Sequence, residues 1–291
     1  MKKVLILGAT GMLGSALYGV LKDKYKLVLS VRDFKKITLL EGAYGGTNNH
    51  QVVLFDVARV YEDFTNKKGT AGYFEDFLRS VDDADYVINA IGIIIPSALE
   101  NPAMTFFVNG ALPHLLADKF KDRFIHITTD CAYDGKTGFP YDENSPKTPV
   151  DLYGLSKSLG EPEKCLTLRT SIIGREIEGF NGLLEWFLRQ KGEKINGYSE
   201  HFWNGVTTKQ FGKICDQIMQ NPERFPKSGI FHVFSDKVSK YDMLLAFKKK
   251  YNVDCTIVAD TGTKLNRTLA TVKELNGLLG ISSFEKMTQD L

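Results

Sequence analysis

The run Lys3-Val-Leu-Ile-Leu7 passes directly into Gly8-Ala9-Thr10-Gly11-Met12-Leu13-Gly14, and Leu13, Leu17, Val20 and Leu21 then recur at helical spacing. This pattern predicts a buried strand, a glycine-spaced turn and an amphipathic helix. Glycines there permit a tight turn and let the backbone approach a pyrophosphate, which the helix amino terminus stabilises. A glycine triplet alone is weak evidence; between a first strand and a helix it is strong. Gly8, Thr10, Gly11, Met12 and Leu13 are the candidate contacts to a dinucleotide.

Further strand patterns alternate with helical ones along the chain. Lys26 to Val31 reads as a second strand ending in Arg32-Asp33, and Gln51 to Val57 as a third. The Gly-rich stretch from Glu41 to His50 between them reads as a surface loop. Residues 58 to 72 are polar and carry no clear pattern. Tyr73 to Val81 has one apolar helical face. Ala84 to Gly92 reads as a fourth strand with its exit, Pro102 to Phe120 as a helix carrying Asn109, Phe124 to Thr128 as a fifth strand, and Cys165 to Ile173 as a further one. Such alternation implies an α/β protein of Rossmann type, a right-handed, doubly wound parallel sheet with its ligand crevice at the strands' carboxyl ends.

From Gly174 the texture changes. A short helix is expected over Gly182 to Gln190, and Thr207 or Thr208 caps a second one with apolar residues at 211, 214, 215, 218 and 219. Ile230 to Phe234 reads as a strand, Ser239 to Asp242 as a capping box opening a helix through Tyr251, Cys255 to Ala259 as a strand, and Val272 to Leu279 as a terminal helix.

Composition excludes several classes. A chain of 291 residues with 43% hydrophobic content can bury a full core in one large or two unequal domains. With 37 basic against 35 acidic residues, there is no electrostatic case for nucleic acid or an anionic membrane. The four cysteines stand far apart without CxxC spacing, and the five histidines show no ligand spacing. Neither a disulfide framework nor a metal site is indicated, which fits a reducing cytoplasmic setting. The apolar amino terminus is broken by its glycines too early for a signal peptide, and Tyr86 to Ile95 falls short of a membrane span. The chain reads as soluble.

The chemistry gathers between His126 and Glu161. On a helix, Tyr153 and Lys157 share a face, and a cation near a phenol favours its ionised form. That makes a tunable proton donor and acceptor. Upstream, Phe124-Ile-His-Ile-Thr128-Thr129 ends in hydroxyls that can hold a carbonyl oxygen.

With the glycine turn, these motifs resemble the extended short-chain dehydrogenase/reductases. Thr128-Thr-Asp-Cys-Ala-Tyr-Asp-Gly135, Tyr141-Asp-Glu143 and Tyr153-Gly-Leu-Ser-Lys-Ser-Leu-Gly-Glu161 are most similar to the dTDP-4-dehydrorhamnose reductase-like branch. The resemblance implies a nicotinamide-dependent reductase of a nucleotide-linked 4-keto-6-deoxy sugar, in deoxysugar and surface polysaccharide precursor synthesis, with a homodimer as a family expectation. Thr129, Tyr153 and Lys157 would be catalytic, with Tyr153 and Lys157 also touching cofactor. Asp56 and Val57 would frame the adenine. Asn89, Ala90, Ile91 and Gly92 would run beside the nicotinamide ribose, although Asn89 can equally cap a turn. Asn109 either touches ligand or braces the fourth strand. Thr129, Asp130 and Cys131 would meet the substrate.

The family pattern divides the chain into a nucleotide-binding domain, 1–173, and a mainly substrate-binding mixed α/β domain, 174–291, with about 206–235 returning to the first. Trp203 and Asn204 suit stacking on a base or sugar and bonding its hydroxyls, or anchor their loop to the core. Arg267 clamps a diphosphate or pairs with an acid. Cys131 stands where related dehydratases carry a glutamate base, so dehydration is not expected. A 4-epimerase and a non-catalytic regulatory subunit remain as alternatives.

Cofactor choice turns on the end of the second strand. A carboxylate there accepts bonds from the ribose 2′-hydroxyl of NAD, whereas a cation pairs with the 2′-phosphate of NADP. Arg32 therefore predicts NADP(H) in preference to NAD(H). The competing outcomes are that Asp33 governs the pocket or that Arg32 faces solvent.

Overall fold

The computed structural model describes residues 1–65, 72–95 and 97–291. Its centre is a parallel sheet of seven strands: β1 Lys3–Leu7, β2 Lys26–Val31, β3 Gln51–Leu54, β4 Tyr86–Asn89, β5 Phe124–Thr129, β6 Leu166–Thr170 and a last strand, Gly229–His232. From one edge to the other the order is Gly229–His232, β6, β5, β4, β1, β2, β3. The order reverses between β1 and β4, which is where such sheets open a crevice. Both faces of β1 are covered, as its unbroken apolar run requires.

Helices pack on both sides. On one, α1 (Met12–Leu21) lies against the helix Thr208–Gln220, and Leu17, Tyr18, Phe211 and Ile214 join Val4 and Ile6 in one core. On the other, Leu5, Leu7 and Val28 meet Phe77 and Leu78 of α4 (Tyr73–Ser80), Val57 and Val60 of α3 (Val57–Thr65), and Leu112 and Leu116. Thus the stretch 208–232 is built into the central layer from far along the chain. A third core, with Phe187, Trp203, Met243, Phe247 and Phe284, lies beneath the remaining small sheets.

Several local expectations change. The stretch expected as a loop from Glu41 begins inside a helix, α2 (Ile37–Tyr44), because Leu40 is drawn into the core. β3 stops at Leu54, so Asp56 and Val57 open α3 instead of ending a strand. Of residues 58 to 72, those through Thr65 are helical, while 66–71 lie outside the described residues. The Pro102 helix is interrupted by a π turn, Phe107–Ala111, that contains Asn109. The carboxyl-terminal helix is shorter than expected, Leu275–Leu279, and another follows at Phe284–Gln289. Among the described residues no helix is long and apolar enough to cross a membrane.

Candidate active site

The glycine turn sits at the reversal point. Gly8 adopts φ +77°, a conformation that side chains disfavour, and a Cβ there would press on Ile91 at 3.0 Å. A Cβ on Gly14 would lie 2.0 Å from the Gly8 carbonyl oxygen, so α1 can start this close to β1 only with glycine. Ser30 of β2 pins the turn, accepting from Gly8 N at 2.9 Å through its hydroxyl and from Ala9 N at 3.0 Å through its carbonyl. Gly11 caps α1 without a side chain, and no acid lies in the first turn. The helix amino terminus is thus bare, with Thr10, Gly11 and Met12 at least partly accessible. A cradle of this kind fits a dinucleotide pyrophosphate.

Arg32 is exposed at the carboxyl end of β2, while the Asp33 carboxylate is turned to its own chain, accepting from Lys35 N at 2.9 Å. Asp56 likewise accepts from Ala58 N at 3.0 Å at the start of α3, and Val57 is buried in the core. Ala90, Ile91 and Gly92 leave β4 beside Gly8. Asn89 itself is turned away: its oxygen accepts from Ile91 N at 3.0 Å and its amide meets His126 Nδ1 at 3.1 Å. Asn109 bonds the backbone of Ile93 in both directions, at 2.9 and 2.8 Å, and donates to Ser156. Asn89 thus caps the turn that leaves β4, and Asn109 braces the backbone beyond it.

Tyr153 and Lys157 occupy the helix Leu152–Leu159, whose start is fixed by Asp151 accepting from Gly154 N at 2.7 Å. A Cβ on Gly154 would stand 2.2 Å from the Cys131 carbonyl oxygen, so the turn after β5 is packed hard against the helix. Lys157 is buried and donates from Nζ to the Ile127 carbonyl of β5 at 2.8 Å. Burial lowers its pKa to about 8, with Glu161 opposing. The sequence pattern led to the expectation that this cation depresses the Tyr153 phenol. Instead, burial pushes the phenol above its ordinary value, Cys131 adds to the rise, and Thr129 opposes it. Tyr153 therefore carries its proton at neutral pH, as a donor must.

Thr129 donates to Asp130 Oδ1 at 3.2 Å and accepts from Cys131 N at 3.1 Å. The Cys131 thiol is pushed up to about 12 by burial and by Asp130. It is neutral at physiological pH and serves as no base.

The later residues divide. Trp203 is buried edge-on against Phe284, and Asn204 is spent on Leu269, donating to its carbonyl at 2.8 Å and accepting from its N at 2.9 Å. Neither is turned to a ligand, because both hold the loop to the core, the second of the two roles open to them. Arg267 does approach the turn after β5, donating to the Tyr133 carbonyl at 2.9 Å and to Cys131 Sγ at 3.3 Å.

Sequence reasoning passed over Ser30, Asp151 and a buried network below the helix. There Arg169 forks onto Glu161 at 2.9 and 2.6 Å and reaches Tyr133 and His232. Burial pushes Glu161 up, but Arg169 and Lys147 outweigh it and hold the carboxyl below its usual range. A polar Ser30 inside an apolar strand was the available signal for the first; the network joins residues too far apart in sequence to leave one.

Residues 1–272 match the RmlD substrate binding domain. The chain belongs to that family. Among similar proteins, the spore coat polysaccharide biosynthesis protein SpsK of Bacillus subtilis is 25% identical over 269 residues, 90% of this chain and 83% of SpsK. Methionine adenosyltransferase 2 subunit beta of Xenopus tropicalis is 24% identical over 273 residues, 87% of this chain and 73% of that protein. The structure of dTDP-4-dehydrorhamnose reductase from Bacillus anthracis in complex with NADP superposes with a TM-score of 0.70 at 16% identity, covering 100% of this chain and 98% of that one. That likeness establishes the RmlD-type fold.

Proposed function

We propose that this RmlD-family chain is an NADP(H)-dependent reductase of a nucleotide-linked 4-keto-6-deoxy sugar, acting in the cytoplasm in synthesis of a surface polysaccharide precursor. One arrangement carries the reading. Tyr153 and Lys157 lie on one helix packed against the end of β5, which is the same end of the sheet that holds the glycine turn. The relatives named for polysaccharide synthesis and for dTDP-4-dehydrorhamnose reduction support the substrate class.

When bound, the nicotinamide cofactor supplies the hydride. Tyr153, protonated at neutral pH, gives its phenolic proton to the carbonyl oxygen as negative charge develops there. Thr129 turns its hydroxyl from Asp130 to donate to the same oxygen. The Lys157 ammonium stabilises the phenolate left behind. Gly8, Thr10, Gly11, Met12 and Leu13 would hold the pyrophosphate, and Arg32 would meet the 2′-phosphate. In this reading residues 1–173 with the 206–235 stretch form the cofactor domain, the rest closes over the substrate, and the active form is a homodimer.

Following NADPH absorbance against a panel of nucleotide-linked 4-keto sugars tests the proposal, with oxidation by at least one of them as the expected result. A second reading, a non-catalytic NADP-binding subunit, draws support from the subunit beta relative. It predicts tight cofactor binding without turnover. A 4-epimerase on the same scaffold would show conversion without net NADPH loss.

A further inference from the structure

The helix that carries Tyr153 ends at Leu159, and the chain continues through Gly160 to Glu161, which is buried. Arg169 lies on β6, paired across the sheet with Thr128, the residue before Thr129. Its guanidinium is also buried and divides its donors among separate parts of the chain. Nε and Nη2 fork onto the Glu161 carboxylate at 2.9 and 2.6 Å. Nη1 donates to the Tyr133 phenol at 2.5 Å and to His232 Nε2 at 2.7 Å.

Tyr133 closes the turn Asp130–Ala132 that follows Thr129, its N donating to the Asp130 carbonyl at 3.1 Å. Its phenol donates in turn to the Asp142 carbonyl at 3.0 Å, and its ring stacks on Tyr141 with centroids 4.2 Å apart. One planar group therefore meets both the end of the helix bearing Tyr153 and the turn leaving Thr129. Stability alone does not account for this. Removing two charges from water costs about as much as their attraction returns, so a buried ion pair is weak evidence for stability. What it supplies is geometry, because a guanidinium presents its N–H groups in a rigid fork that fixes direction as well as distance.

We propose that Arg169 is a positioning residue: it sets the Tyr153 phenol and the Thr129 hydroxyl relative to each other, holding the helix through Glu161 and the turn after β5 through Tyr133. The inference rests on the reductase reading for the reaction those two groups serve, and adds a residue that acts only through others. Lys157 ties the middle of the same helix to β5; Arg169 ties its far end.

Two variants test the two arms. Arg169→Lys keeps a cation for Glu161, which Lys147 also pairs at 2.6 Å, but loses the planar fork. Tyr133→Phe keeps the fork and removes only the phenolic end. In reduction of a nucleotide-linked 4-keto sugar, Arg169→Lys is expected to lower kcat by up to about a hundredfold, the order that an ångström of misplacement costs. Tyr133→Phe lowers it by a smaller factor, and KM and NADPH affinity stay near wild type in both. In a Tyr153→Phe background the same substitutions cost little, because the donor they position is gone; such non-additivity marks residues that act through one another. Tyrosine isotopically labelled at Cζ gives a readout without turnover: the Tyr153 resonance, identified by its absence from Tyr153→Phe, shifts in both variants.

The proposal is overturned if both variants turn over like wild type, if their losses add to that of Tyr153→Phe, or if kcat, NADPH affinity and melting temperature fall together. Should Arg169→Lys not fold, Tyr133→Phe decides by the same readouts. Failure of the reductase reading shows differently: wild type oxidises NADPH with none of the nucleotide-linked keto sugars, while the Tyr153 resonance still moves in Tyr133→Phe. A resonance unmoved in both variants overturns the positioning itself.

Discussion

The Lys157 ammonium donates to the Ile127 carbonyl across 2.8 Å, tying the helix that carries Tyr153 to the strand that ends in Thr129. The bond holds the helix bearing the Tyr153 phenol against the strand bearing the Thr129 hydroxyl. It also places a cation in a buried site, with a pKa of about 8.

That value sets a pH limit. Lys157 is charged below about 8 and loses its proton as pH rises through it, whereas Tyr153 stays protonated over the same range. The reductive kcat/KM, which reports groups of the free enzyme, is expected to fall as pH rises through about 8. In Lys157→Met that alkaline fall should disappear from a much lower baseline. A wild-type profile flat from pH 7 to 9 would remove Lys157 from the mechanism.

The glycine turn separates fold from ligand. At Gly14 a Cβ meets backbone at 2.0 Å, whereas at Gly11 the nearest atom is 3.5 Å away. Gly14→Ala should lower the melting temperature by several degrees. Gly11→Ala should melt like wild type yet bind NADPH about tenfold or more weakly, because the added methyl obstructs only the pyrophosphate's approach. Unchanged NADPH affinity in Gly11→Ala would place the cofactor elsewhere.

Much of this was legible in the sequence, for physical reasons. Buried parallel strands read as unbroken apolar runs, so β1, β2 and β5 were found within a residue or so. Glycine at 8 and 14 marked a backbone contact that no other residue permits. What spacing left open was side-chain direction, which tertiary packing decides. Asn89, Asn109, Trp203 and Asn204 each had a ligand role and a structural role open in the sequence, and each has a partner from a distant part of the chain. The phenol's shift depended on the depth of its surroundings, which spacing does not reveal.

Cofactor preference is expected to turn on Arg32, which is exposed at the end of β2 beside an equally exposed Asp33 whose carboxylate accepts from Lys35 N. NADPH is expected to bind about tenfold or more tightly than NADH, and Arg32→Ala to abolish most of the difference with little effect on NADH. Fluorescence titration of both nucleotides checks this; equal wild-type affinities would show that Arg32 merely faces solvent.

Single-turnover hydride transfer from NADPH to a nucleotide-linked 4-keto-6-deoxy sugar, compared between wild type and Tyr153→Phe, bears most directly on the reductase reading. Loss of the phenolic proton donor should slow the reaction by a factor of about 10² to 10⁴ while NADPH affinity is retained. Equal rates in the two proteins, or no transfer by a wild type that binds NADPH and the nucleotide sugar, would contradict the account.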